Sequence, residues 1–314
     1  MRGGSNCVYS FAGLAIAVFA LMLSCDVQGD LPDSDSDLED EEGVSEFTRH
    51  VVDSWGNLGI AGGTLRARGA TPDHFRAWNT VTRPVSEVTA YLYSGLVRRN
   101  PATMQFDPLL AESVEYASDH SSVDVTLRRG LRWSDGEVLD VEDVLFSVSE
   151  IYQNDSVESS PSLKVNEHLA TFTATGPRSF SVSAPTPYAG WGELLSFPIL
   201  PKHVLEPILD QGASELNDIW AYDNTSLDEI VGSGPFLPSE SDGVGDRLLL
   251  EANPYYFEED AGATPLPYLE AIELVPGSKV DLMNAGDIDI GEIGGMDRSN
   301  IGDPSGFAIL NMGT

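Results

Sequence analysis

Apolar and polar positions alternate in some stretches of the chain and recur at helical spacing in others. Val123, Val125 and Leu127 alternate with Asp124, Thr126 and Arg128, which predicts a half-buried strand. Phe180, Val182 and Ala184 alternate with serines and predict a second one. Val141, Val144, Leu145, Val148, Ile151 and Tyr152 recur at three- and four-residue steps, so the spacing predicts a helix with one buried face. Asp140 stands where its N-cap belongs, and Asp143 follows three residues on in the place of the reciprocal carboxylate. A shorter helix is predicted from Ser86 as N-cap, with Val88, Tyr91 and Leu92 on one stripe and Gly95 as its stop. GGTLRARGA reads as a strand after a Gly-Gly turn, Arg247 to Glu251 and Ile272 to Val275 as two more, and Trp133-Ser134-Asp135-Gly136 as a tight turn. Between Gly286 and Ile293, isoleucines alternate with Asp287, Asp289 and Gly291. Strands and helices mix without strict alternation, which points to an α/β or α+β fold.

The amino terminus breaks this pattern. Arg2 precedes thirteen apolar residues, Phe11 to Leu23, a run shorter than a bilayer span but the right length for the apolar part of an export signal. It ends in Met22-Leu23-Ser24-Cys25, which resembles a bacterial lipobox, so Cys25 is the expected lipidation site; an ordinary signal peptide cut nearby is the alternative. The following LPDSDSDLEDEEGVSE is almost free of apolar residues and is expected to stay disordered as a tether.

Charge narrows the partners. Of 314 residues, 50 are acidic and 17 basic, a formal net charge of −33, and lysine occurs only at 164, 202 and 279. Ten of the acids fall between Asp26 and Glu46, so most of the excess is spread over the folded part. A field of this sign disfavours nucleic acid and anionic headgroups as partners. It suits solubility in a salty medium or attraction of cationic ligands. The two cysteines, Cys7 and Cys25, both lie in the leader, so beyond it the chain has no thiol for a disulfide, a thiolate metal site or a nucleophile.

No enzyme constellation assembles. His50, His74, His120, His168 and His203 are scattered without an H-E-x-x-H pair, and neither a G-x-S-x-G elbow nor a phosphate-binding glycine loop is present. Glu112, Asp119, Asp135, Asp140 and Asp143 are explained by caps and turns before catalysis or metal binding is invoked. No cofactor and no metal are implied.

A series of blocks resembles the large extracellular solute-binding proteins of ABC importers for oligopeptides, dipeptides and nickel. They are GGTLR, LYSGLVRRNPATMQFDPLLAESVEYASD (92–119), VTLRRGLRWSDGEVLDVEDVLFS (125–147), FPILPKHVLEP (197–207), GSGPF (232–236), LEANPYYF (250–257), LPYLEAIEL (266–274) and NAGDIDIGEI (284–293). The resemblance implies an α/β fold of the periplasmic-binding-protein type II, a two-lobed clamp, with the second lobe largely absent from this chain. The amino-terminal pattern gives a signal peptide over 1–24 and a lipidated cysteine with an acidic tether over 25–48, and the resemblance implies a first lobe starting over 49–94. A subdomain of that lobe is inserted over 95–195; the lobe returns over 196–295, and 296–314 opens the second lobe. It further implies that Val81, Thr82 and Arg83 run beside a bound peptide and offer it backbone hydrogen bonds; the Arg83 side chain is a partner for a ligand carboxylate or, more commonly for such a residue, a surface arginine. Trp78 is a ligand-stacking ring or a packing tryptophan. The implied function is capture of a peptide or similar solute outside the membrane and delivery to ABC permease subunits, by a monomer held by its lipid anchor. The alternative is a truncated surface lipoprotein that acts as an adaptor or remnant.

Overall fold

The computed structural model describes residues 6–8, 47, 49–51, 60–80, 83–100, 103–159, 170–291 and 307–309. In chain order the strands are β1 (Asn6–Val8), β2 (His50–Val51), β3 (Thr64–Arg68), β4 (Val97–Arg99), β5 (Phe106–Pro108), β6 (Ala111–Tyr116), β7 (Ser122–Leu127), β8 (Thr171–Ala174), β9 (Ser179–Ser183), β10 (Phe236–Ser241), β11 (Leu248–Ala252), β12 (Glu258–Glu259), β13 (Ala271–Val275), β14 (Ile290–Gly291) and β15 (Phe307–Ile309). The helices are α1 (Arg83–Leu92), α2 (Val141–Phe146), α3 (Trp191–Leu195), α4 (Lys202–Leu209) and α5 (Lys279–Ala285).

Two sheets carry the fold. The main one has the order β10-β11-β13-β3-β14-β1-β15 among the described residues. β13 runs parallel to β3 in register from Ala271↔Thr64 to Val275↔Arg68, so the two strands end side by side. The other sheet, β6-β7-β9-β8, is antiparallel throughout and is inserted between β3 and β10 in the chain. Its β7 buries Val123, Val125 and Leu127 on one face, the alternation that predicted it. β1 falls inside the segment assigned as a leader and pairs in parallel with β14 and β15. Buried apolar side chains of both sheets join in one core that includes Trp78, Trp133, Trp191 and Trp220.

The expected helix over 141–152 forms, with a change of winding. Asp140 and Asp143 make the reciprocal capping box, and residues 141–146 are α-helical. The next turn, Ser147–Tyr152, widens to a π-helix. There the Ser147 hydroxyl turns back to the Asp143 carbonyl at 2.6 Å and takes the Leu200 N–H at 2.8 Å. A side chain inserted into the helical ladder explains the wider turn.

α1 departs from expectation at both ends. It starts at Arg83 rather than after Ser86, because Pro84 in the first turn needs no N–H partner and has φ preset for a helix. It stops at Leu92, short of Gly95. Gly95 is needed for close approach: a Cβ there would meet the Ser196 carbonyl oxygen at 2.6 Å. The GSGPF block closes the helix end, since Gly234 N–H donates to the Leu92 carbonyl at 2.7 Å and Ser233 Oγ takes the Ser94 N–H at 3.0 Å.

Candidate functional site

In open α/β sheets, ligands gather outside the carboxyl ends of the parallel strands. Here those ends are Arg68 of β3 and Val275 of β13. A cavity of about 240 Å³ opens at this place, lined among others by Arg68, Gly69, Pro84, Glu87 and Gly277. Gly69 N–H donates to Val275 O at 3.1 Å, and Arg68 Nε donates to Gly277 O at 3.0 Å. That second bond uses one guanidinium edge to hold the 276–278 turn. A substituent at Gly69 would press on the Leu274 side chain at 3.1 Å, so the glycine keeps the two strand ends in contact.

The loop after β3 is pinned rather than free. Thr71 bonds Ser241 Oγ at 2.7 Å and the Arg247 carbonyl at 2.9 Å through its hydroxyl, and its N–H reaches Asp246 O at 2.8 Å. Farther on, Phe75 N–H donates to Trp220 O and Tyr222 N–H to Asp73 O, both at 2.9 Å. Arg76 Nη1 adds a bond to Ile219 O at 3.0 Å. Burial, and then the Arg76 charge, push the His74 imidazole down to about 4, so it stays neutral at pH 7. Trp78 is 0% exposed and packs against Trp220, ring centroids 5.7 Å apart. Its Nε1 has no hydrogen-bond partner among the described residues. Val81 and Thr82 lie outside the described residues, as does the Arg83 side chain; the backbone of Arg83 opens α1.

On the other flank of β3, Asp289 accepts from Arg66 Nη2 at 2.7 Å and Nε at 3.2 Å. Burial opposes ionisation of Asp289, but the Arg66 side-chain and backbone N–H groups outweigh it and hold the carboxyl below its usual range. The pair ties β3 to the run that enters β14.

The carboxylates weighed as catalytic all have structural partners. Asp135 meets His203 Nε2 at 2.8 Å, Glu112 meets Arg178 at 3.1 Å, and Asp119 takes the Ser121 N–H at 3.0 Å. Asp143 takes N–H groups from Lys202, Asp140 and the Trp133 indole at 2.9, 3.1 and 3.2 Å. No group of three or more His, Cys, Asp or Glu side chains fit to hold a metal occurs among the described residues. Arg68 and Glu87 are the chargeable side chains of the cavity that sequence reading missed. The available signal was that Arg68 follows Arg66 on one face of a strand that stops before Gly69.

A mixed sheet with an inserted antiparallel one, and a cavity at the carboxyl strand ends, fits a lobe of the type II clamp class of binding proteins. Residues 105–303 match the bacterial extracellular solute-binding proteins, family 5, and the chain belongs to that family. The protein named "Probable ABC transporter-binding protein" from Deinococcus radiodurans is 30% identical over 222 residues, covering 68% of this chain and 36% of that relative. The oligopeptide-binding protein AppA of Bacillus subtilis is 27% identical over 227 residues, covering 69% of this chain and 38% of that relative. Among solved structures, the binding protein MelB of Agrobacterium fabrum, in complex with stachyose, superposes with a TM-score of 0.67 at 20% identity, covering 79% of this chain and 40% of that one. AppA with a nonapeptide gives 0.60 at 23% identity, covering 73% and 44%. The chain thus spans less than half the length of these relatives. Among the described residues, no helix is long and apolar enough to cross a membrane.

Proposed function

We propose that this chain carries one wall of a solute-binding cleft and that its solute is a peptide, captured outside the membrane for an ABC permease. The cavity at the ends of β3 and β13 carries this reading, because it lies beside the pinned loop 70–80 and the start of α1. A wall held by this many backbone bonds is preorganised, which limits the ordering lost on binding. Backbone groups at the end of the loop are suited to pairing with an extended peptide. Val81, Thr82 and Arg83 are assigned to that contact, and Trp78 supports the loop from behind. Arg68 is assigned to an anionic group of the solute. Cys25 is assigned as the lipid anchor of a monomer, with 26–46 as its acidic tether. Titration with pooled di- to pentapeptides tests the reading, and an oligosaccharide pool is the control, since one neighbour is in complex with stachyose. Saturable binding of peptides alone supports it; binding of sugars alone overturns the peptide assignment.

A further inference from the structure

A second cavity, of about 450 Å³, shares no lining residue with the one at the ends of β3 and β13. That volume falls within the range of small-ligand sites, roughly 300–1,000 Å³. Val204 and Ile208 of α4, with Ile219, give it an apolar side. Glu215, Asp218 and Glu229 give it an acidic side, and no basic residue is among its lining. Arg76 lies near Asp218, with Nη1 on the Ile219 carbonyl at 3.0 Å, and offsets part of that charge. The Glu215 and Glu229 side chains enter no ion pair or hydrogen bond among the described residues. The three carboxylates are not set to hold a metal ion, so an extended organic cation suits them better.

Trp220 supplies an independent feature. It is 1% exposed and lines this cavity. Two other buried tryptophans use their indole N–H groups within the fold, Trp133 on Asp143 Oδ2 at 3.2 Å and Trp191 on the His120 carbonyl at 3.1 Å. The Trp220 indole N–H donates to no group among the described residues, and unlike that of Trp78 it is not sealed inside. Its acceptor must therefore come from what fills the cavity. The residue is also fixed in place. Its φ of 54° is uncommon for a bulky side chain, its carbonyl takes the Phe75 N–H at 2.9 Å, and its ring packs against Trp78 and Tyr93. The donor is thus positioned before any ligand arrives.

We propose that this cavity is a second binding site, for a basic residue of a peptide. The cationic head pairs with Glu215 and Glu229, the methylene stem lies along Val204, Ile208 and Ile219, and the residue's own carbonyl accepts the Trp220 indole N–H. A neutral apolar residue leaves the carboxylates unanswered, and a simple amine lacks the carbonyl that the indole needs. The overall charge of −33 draws the same class of ligand from a distance. The site goes beyond the solute reading and does not rest on it.

Titration of N-acetyl-L-argininamide into the 15N-labelled full chain tests the site, with N-acetyl-L-norleucinamide as the neutral counterpart. Saturable binding of the arginine amide alone is expected. It should shift one indole N–H resonance, the one missing from the spectrum of Trp220→Phe. Glu215→Gln combined with Glu229→Gln should weaken binding at least about tenfold. Glu115→Gln combined with Glu251→Gln removes the same charge from exposed positions outside the cavity and should change affinity by no more than about twofold. An equal loss in that second pair would reduce the effect to the general acidic field and overturn the proposal. Absence of saturation, equal binding of the neutral amide or an unmoved Trp220 resonance would also overturn it. Loss of arginine amide binding in Arg68→Ala would assign the ligand to the cavity at the strand ends instead, so failure of this site and failure of the solute site are read separately.

Discussion

The Asp289 carboxylate accepts three N–H groups of one residue, Arg66: the backbone N at 2.8 Å, Nε at 3.2 Å and Nη2 at 2.7 Å. Asp289 returns its own N–H to the Arg66 carbonyl at 2.8 Å. Two residues 223 positions apart are thereby joined through main chain and side chain at once, where β3 faces the run entering β14. Both side chains are about a third exposed, so solvent screens the charge part. Asp289→Asn is expected to lower stability by on the order of 1 kcal/mol, measured by urea unfolding at pH 7. The folded carboxyl titrates below its ordinary value, so the difference from wild type should be full at neutral pH and shrink as pH falls through the folded pKa. A constant difference down to pH 3 would remove Asp289 ionisation from the account.

Asp143 behaves in the opposite sense. Burial pushes its carboxyl up to about 6 although three N–H groups point at it. A raised carboxyl favours the folded state while protonated, so this contribution is present below about pH 4 and is lost as pH rises through 6. Relative to Asp143→Asn, wild type should lose about 3 kcal/mol of stability across that window. Asp143→Ala should cost roughly 3 kcal/mol or more, because the starts of α2 and α4 and the Trp133 indole would each keep a buried N–H without an acceptor. A wild-type advantage that grows with pH would mean that the donors prevail over burial.

Glu258 is 0% exposed and pairs with Arg98 at 2.8 Å, joining β12 to β4. Glu258→Gln should cost roughly 3 kcal/mol or more, because it removes the buried counter-charge of Arg98. Arg98→Met combined with Glu258→Leu should recover most of that loss in thermal melts. A double variant as unstable as the single one would show that the join depends on the ion pair itself.

A formal charge of −33 on 314 residues makes the folded state repel itself. Raising sodium chloride from 0.05 M to 1 M shortens the screening length to about 3 Å and should raise the melting temperature by on the order of 5 °C. A melting temperature unaffected by salt would show that the acidic surface does not limit stability.

Local signals carried the elements that local physics decides. The Val123–Leu127 alternation, the Asp140/Asp143 box and the Asp135-Gly136 turn each appear where residue type alone placed them. Elements that depend on distant partners were not legible. α4 holds Pro207 and starts after Pro201, so no helix was predicted there, yet its first N–H is accepted by Asp143 from 59 residues away. β10 contains Pro238 and was not predicted as a strand; it is an edge strand with a break in register at that point, where a missing N–H is tolerated. The loop after β3 was assigned to the site through family resemblance alone. The cavity charges were not, because Arg68 and Glu87 become neighbours only when α1 settles over the strand ends.

The most direct test is calorimetric titration of pooled di- to pentapeptides into this chain and into the chain extended through any contiguous coding sequence. Each is run as wild type and as Arg68→Ala. The account predicts saturable binding by the extended form and at least a tenfold weaker affinity, about 1.4 kcal/mol, for its Arg68→Ala variant. Peptide binding unaffected by Arg68→Ala would place the solute elsewhere, and no peptide binding by either form would contradict the proposed function.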